Sequence, residues 1–322
     1  MTKAPFLIAI DTEGDDVWSR PRQVETKNAA FLPRFQALCE RHGLKPTYLA
    51  NHEMATSPEF CDFAKDVIAR GAGEIGMHMH PWDSPPLGQT LGERDWFDQP
   101  YPCEYPDDIL DAKVAAMTRL LEDTFAVPIV SHRAGRFGFS AAYCRSLLRL
   151  GYRIDCSVTP HVSWRSHPGF SGGAGGPDYS AFPDDAYWLD PDDISRPGDS
   201  GLLEAPMTIV KGRRPLHREI ARRLLGRKEP RFVWLRPDGR NLDDLLFVLD
   251  DAVARRRGYV QFTLHSSEFM PGGSPSFRTA DDIERLYEHM EALFEAAQPH
   301  FFGQTFGAFA QDRIAARVGA AA

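Results

Sequence analysis

In the stretch EIGMHMHPW, residues 74–82, one methionine separates two imidazoles, His78 and His80, at the end of an apolar run. Along an extended strand residues i and i+2 point to the same face, so both rings would be presented together. The stretch IAIDTEGDD does the same with carboxylates, placing Asp11 and Glu13 on one face where an apolar run gives way to charge. Two imidazoles with one or two carboxylate oxygens suit zinc or a similar divalent ion and leave positions open for water, as catalytic rather than structural sites do. Asp15 and Asp16 follow closely and stand as alternative donors. A His-x-His pair also arises by chance, and the competing reading is polar residues at the wet end of a strand. Against that reading, Arg133 in SHRAGRFGFS, Asp155 in IDCSVTP and His265 in FTLHSSEF each fall on a further predicted strand. Five strands would deliver ionisable groups at the same end, whereas isolated core residues would scatter.

The elements that must position these groups follow from periodicity. Short apolar runs at 6–10, 46–50, 74–80, 128–132, 152–158, 202–206, 232–235 and 259–265 read as strands. Amphipathic segments at about 29–42, 59–70, 107–125, 140–150, 216–225, 241–257 and 279–297 read as helices. Regular alternation of the two implies a mainly parallel sheet, and seven or eight repeats favour a closed barrel with its functional groups at the C-terminal rim. Two segments break the rhythm: residues 83–106 and 160–201 are rich in Pro, Gly, Asp and aromatics and show neither period. They follow strand ends, where active-site loops of such barrels lie. The chain is read as a single domain over 1–322.

Composition sets outer bounds. At 43% hydrophobic, with 25 prolines and 26 glycines, the chain is of ordinary globular character. Its 37 basic and 45 acidic side chains leave a net charge of -8, which argues against a nucleic-acid partner. The apolar stretch near the N-terminus is too short for a signal-peptide core or a membrane span. Five cysteines, Cys39, Cys61, Cys103, Cys144 and Cys156, are widely spaced and form no Cys-x-x-Cys pair, so neither a disulfide framework nor a thiolate metal site is expected, and a reducing cytoplasm fits.

The order of acid pair, histidine pair, arginine, aspartate and histidine, over about residues 5–270, resembles the polysaccharide deacetylases of the NodB-homology type, carbohydrate esterase family 4. The resemblance implies a distorted (β/α)7-8 barrel and a metal-dependent hydrolase that removes an N-acetyl or similar acyl group from an amino sugar or glycan intermediate, with surface polysaccharide biosynthesis as a candidate setting. It implies Asp11 as general base, Glu13, His78 and His80 as ligands of one divalent metal, zinc first, Arg133 held against the base, His265 as general acid and Asp155 orienting that histidine. A bell-shaped pH-rate profile would follow. The chain departs from the family pattern in three places: Thr12 separates the first acids, one residue rather than three separates the histidines, and no tryptophan follows Asp155.

Other residues carry weaker signals. By strand alternation His132 points away from Arg133 and is structural; His161 and His167 sit in the irregular segment. Trp82, Trp96 and Trp164 could stack on a sugar ring or anchor the loops. The cationic segment 213–228 reads as a solvated helix face, with anionic-substrate contact through Arg222 and Arg223 the lesser alternative. A sugar or sugar conjugate is the implied partner, and no signal bears on oligomeric state. The competing classes are an amidohydrolase, a two-carboxylate glycoside hydrolase without an obligatory metal, and a non-catalytic carbohydrate-binding protein.

Overall fold

The structure is a computed structural model that describes residues 3–19, 21, 23–87, 99–169, 173, 175–212 and 231–321. The cationic segment 213–228 and Trp96 lie outside these residues. Strand β1 (Ala4–Thr12) is apolar on both faces, as a parallel strand buried between helices and a barrel interior must be. It pairs in parallel with β2 (Pro46–Ala50) on one side and β10 (Val260–His265) on the other. From β2 the sheet continues through β3 (Glu74–Met79), β4 (Ser131–Ala134), β5 (Ile154–Asp155) and β7 (Leu203–Glu204), all parallel. The short β6 (Tyr187–Trp188) lies antiparallel to β7, inside the segment expected to hold no strand. Near the start of β1 a further parallel strand, β11 (Phe301–Gly303), adds to the sheet.

The result is a mixed, mainly parallel sheet curled into a half-barrel, a distorted form of the closed barrel expected. Between β7 and β10 no ladder forms among the described residues; the hairpin of β8 (Ile209–Lys211) and β9 (Phe232–Trp234) stands there instead. Single bonds tie it to β10: Gln261 N donates to Thr208 Oγ1 at 2.8 Å and Thr263 N to Leu235 O at 3.3 Å.

Helices α1 (Leu32–Arg41), α2 (His52–Ala55), α3 (Pro58–Ala69), α4 (Asp107–Phe125), α5 (Ala141–Arg149), α6 (Leu242–Arg255), α7 (Ala280–Ala297) and α8 (Phe306–Ala321) accompany the sheet. Helix α4 shows why the sequence pattern was readable. Leu110, Val114, Met117, Leu121 and Phe125 recur at helical spacing and are buried, Asp107 and Asp108 complement the dipole in the first turn, and Ala126 ends the helix at φ 55°. Helix α7 opens with a reciprocal cap, Thr279 Oγ1 accepting from Asp282 N while Asp282 Oδ2 accepts from Thr279 N.

Strand parity divides the core. Phe6, Ile8 and Ile10 of β1 face the helical layer, whereas Leu7 and Ala9 face the interior with Leu49, Ile154, Cys156, Leu203 and Ala205. On that inner face Gly76 of β3 leaves room for close approach, since a Cβ there would stand 2.6 Å from Leu49 Cδ2 and 2.7 Å from Ser131 O. The interior therefore has an apolar floor, and the positions one and two steps further along the same faces form its rim.

Candidate active site

Those rim positions are Asp11 and Glu13 after the floor residues of β1, His78 and His80 after Gly76, Arg133 on β4, and His265 at the end of β10. Register brings them side by side: Asp11 is level with His265, and His78 is level with Arg133. All six come together. With Trp18, Trp82, Tyr101, Arg136, Phe137 and Trp164 around them, all but the fully buried Arg133 line a pocket of about 360 Å³.

Glu13 Oε2 lies 3.3 Å from His80 Nε2 and 3.7 Å from His78 Nε2. His78 Nδ1 donates to Arg133 O at 3.0 Å, which orients the ring with Nε2 toward Glu13. Burial pushes the His80 imidazole well below its ordinary pKa, so it is neutral and able to act as a ligand. Its ring is held by Trp82, stacked at 4.2 Å, and by Gly135, where a Cβ would come within 2.4 Å of His80 Cδ2. Glu13 is positioned through its backbone: Ser266 Oγ accepts from Glu13 N and donates to Glu13 O, and Asn28 Nδ2 also donates to that oxygen. One carboxylate oxygen and two imidazole nitrogens, all within 4.8 Å of one another and all buried, fit a divalent cation with open positions toward the pocket. Asp15 does not compete. Its carboxylate accepts from Lys27 N and Asn28 N and closes a neighbouring turn. Asp16, at φ 43°, likewise stays off the pocket wall.

Beside this cluster Arg133, fully buried, donates from Nη1 to Asp11 Oδ1 at 2.7 Å and to Thr263 Oγ1 at 2.8 Å, and from Nε to Cys156 O at 3.0 Å. Burial raises the Asp11 carboxyl, but Arg133 with His78 and His265 outweighs it and holds the group below its ordinary value. His265 Nε2 lies 3.8 Å from Asp11 Oδ2. Burial lowers its pKa, and the carboxylates of Glu13, Glu268 and Asp11 more than reverse this, so the imidazole is raised above its ordinary value.

The partner that orients His265 is not Asp155. Parity decides this: Ile154 and Cys156 occupy the inner face of β5, so Asp155 points to the outer face, level with His132. There its Oδ1 accepts from His132 Nδ1 at 2.5 Å and from Ser157 Oγ at 2.9 Å. His132, set among Phe139, Tyr143 and Tyr152, lies on the opposite face from Arg133 as alternation requires. The group bonded to His265 is Glu268, whose Oε2 accepts from His265 Nδ1 at 3.0 Å and from His265 N at 2.9 Å. Arg236 Nη2 donates to both oxygens of Glu268 at 2.8 Å. Burial raises the Glu268 carboxyl, but Arg236 and His265 bring it down to about 2. Its signal in the sequence was the acid three residues after the strand-end histidine in HSSEF, the spacing at which a side chain returns to the start of a turn.

Comparisons with known proteins bear on the fold. No family model and no curated protein matches the chain. Among solved structures, one assigned as a polysaccharide deacetylase from Mycobacterium smegmatis aligns at TM-score 0.53 and 13% identity, over 98% of this chain and 92% of that one. One assigned as a glycoside hydrolase or deacetylase from Parabacteroides distasonis aligns at TM-score 0.61 and 11% identity, over 96% and 71%. The chain has the polysaccharide-deacetylase fold. A 4-α-glucanotransferase from Thermococcus litoralis shares it at TM-score 0.52 and 12% identity, over 95% of this chain and 40% of that one. Likeness of fold leaves the chemistry open, and the pocket must decide it. No helix among the described residues is long and apolar enough to cross a membrane.

Proposed function

We propose that this protein is a metal-dependent hydrolase that removes an N-acetyl or similar acyl group from an amino sugar or glycan intermediate. The observation that carries the reading is the buried Glu13, His78 and His80 cluster, with the Arg133-held Asp11 and the raised His265 against it in one pocket. A divalent ion there, zinc by the donor set, would act as a Lewis acid and bring the pKa of a bound water toward about 7. Asp11, kept ionised by Arg133, takes a proton from water as it attacks the acyl carbonyl. His265, kept protonated by Glu268, gives a proton to the departing nitrogen. Trp82 and Trp164 offer apolar faces for a sugar ring, although each also has a packing role, Trp82 on His80 and Trp164 on Phe137 at 5.5 Å.

The glycoside-hydrolase alternative, prompted also by the glucanotransferase likeness, fares worse on this geometry. It needs two carboxylates facing each other across the scissile bond. Among the described residues the carboxylates that line the pocket are Asp11 and Glu13, two residues apart on one face, the first engaged by Arg133 and the second by the imidazoles. The test is acetate release from a panel of N-acetylated sugars before and after chelation. Release that disappears on chelation and returns with zinc is the expected result; release that survives complete metal removal refutes the proposal.

Glu268 and Asp155 are separated by different readouts. His265 must be protonated to act as an acid, so activity falls as pH rises through its pKa. Glu268→Gln removes a carboxylate that raises this pKa, and the alkaline limb of the rate profile is expected to move to lower pH. An unmoved limb would remove Glu268 from this role. Asp155→Ala instead breaks a fully buried bond to His132 and is expected to cost about 1.5–3 kcal/mol of stability, seen as a lower Tm, with the alkaline limb unmoved.

A further inference from the structure

Beyond the metal cluster and the proton-transfer groups, the pocket contains, among the described residues, one cation that these roles do not use. We propose that Arg136 binds an oxyanion, carboxylate or phosphate, carried by the substrate, so that the substrate class is an acidic amino-sugar derivative. This rests on the acyl-hydrolase reading for the identity of the rest of the ligand.

Arg136 lies two residues after the end of β4, in the turn Gly135–Phe137, and lines the same pocket as Glu13, His80 and His265. It and Phe137 adopt consecutive left-handed conformations, at φ 49° and 57°, where side chains other than glycine are disfavoured. The strain is held in place from both sides: the fully buried Tyr179 donates its hydroxyl to Phe137 O at 2.5 Å, and Gly138 N donates to Gly135 O at 2.9 Å. This turn keeps a guanidinium in the pocket wall, 4.8 Å from the Tyr101 ring centroid. Tyr101 orients that guanidinium but cannot neutralise it.

Among the described residues no carboxylate stands within ion-pair distance of Arg136. The other arginines near the site are satisfied, Arg133 by Asp11 and Arg236 by Glu268. Nor can the pocket's own acids serve, since Asp11 is engaged by Arg133 and Glu13 faces the two imidazoles. A half-buried guanidinium in an aromatic-walled pocket, in contact with Tyr101 but with no carboxylate partner among the described residues, matches a planar carboxylate or a phosphate, which a neutral sugar does not offer. Trp164, stacked on Phe137, continues the wall next to it and gives the sugar ring an apolar face.

The test compares binding of N-acetylglucosamine, N-acetylglucosamine 6-phosphate and N-acetylglucosaminuronic acid to the zinc-loaded protein, read by stopped-flow tryptophan fluorescence, with acetate release measured in parallel. At least one acid is expected to bind about tenfold or more tightly than the neutral sugar, and which acid does so separates phosphate from carboxylate. Arg136→Gln is expected to collapse that ratio, and Arg136→Lys to retain part of it, at unchanged zinc stoichiometry. Equal binding of all three sugars, or an acid preference that survives Arg136→Gln, overturns the proposal. Acetate released with no Arg136-dependent preference refutes this inference alone. Arg136-dependent binding of an acid with no acetate released from any of the three supports it and counts against the hydrolase reading.

Discussion

Asp11→Asn is expected to lower turnover by about 10²–10⁴-fold, the usual contribution of a positioned general base, while zinc still binds. The substitution keeps the shape of the side chain and removes its charge and basicity. It also leaves the fully buried Arg133 without its counter-ion, although Thr263 Oγ1 and Cys156 O still accept from it. Removing one partner of a buried pair costs about 3–5 kcal/mol, so Tm is expected to fall as well. Turnover must therefore be normalised to folded, metal-loaded protein. Unchanged turnover on that basis would refute Asp11 as the base, and lost zinc would show that it belongs to the metal cluster instead. In the intact protein the lowered Asp11 carboxyl is expected to set the acid limb, with activity present above its pKa and lost as pH falls through it.

His80→Ala is expected to have the largest effect on metal content. Removing a residue that only orients a ligand costs about 10–100-fold in metal affinity, and loss of a ligand itself exceeds that. Among the described residues, Trp82 and Gly135 on either side of the ring carry no metal-binding group, and the pocket's other donors, Asp11 and His265, are engaged by Arg133 and Glu268. Two readouts follow. Zinc stoichiometry after dialysis drops, and the rise in Tm that added zinc gives the wild-type protein disappears; a ligand at 100 times its Kd contributes about 2.7 kcal/mol of stability, so that rise is measurable. Retained stoichiometry with a retained Tm response would exclude His80 as a ligand.

The sequence disclosed most of the scaffold because its elements obey simple periods. Helix α4 runs over 107–125, and β2 over 46–50, as the apolar spacing predicts. The i, i+2 rule also placed Asp11 with Glu13 and His78 with His80, since a parallel strand end leaves little freedom of facing. The same rule, applied to β5, would have turned Asp155 away: with Ile154 and Cys156 inward, Asp155 can only meet His132. Motif order outweighed parity there. Glu268 and Arg236 were missed because their roles depend on a contact across 32 positions, Arg236 lying at the end of the β8–β9 hairpin region where no barrel ladder forms among the described residues. Short β6 and β11, two and three residues long, are set by pairing with neighbouring strands rather than by a period of their own. Arg136 was invisible for a different reason, as its place in the pocket comes from a left-handed turn that no propensity favours.

The most direct test is anomalous diffraction at the zinc edge from crystals grown with zinc. The expected result is a single strong peak inside the pocket, about 2.0–2.2 Å from one Glu13 carboxylate oxygen and from His78 Nε2 and His80 Nε2. A pocket without a peak, or a peak bound by other side chains while these three stay uncoordinated, would contradict the metal centre from which the proposed reaction is built.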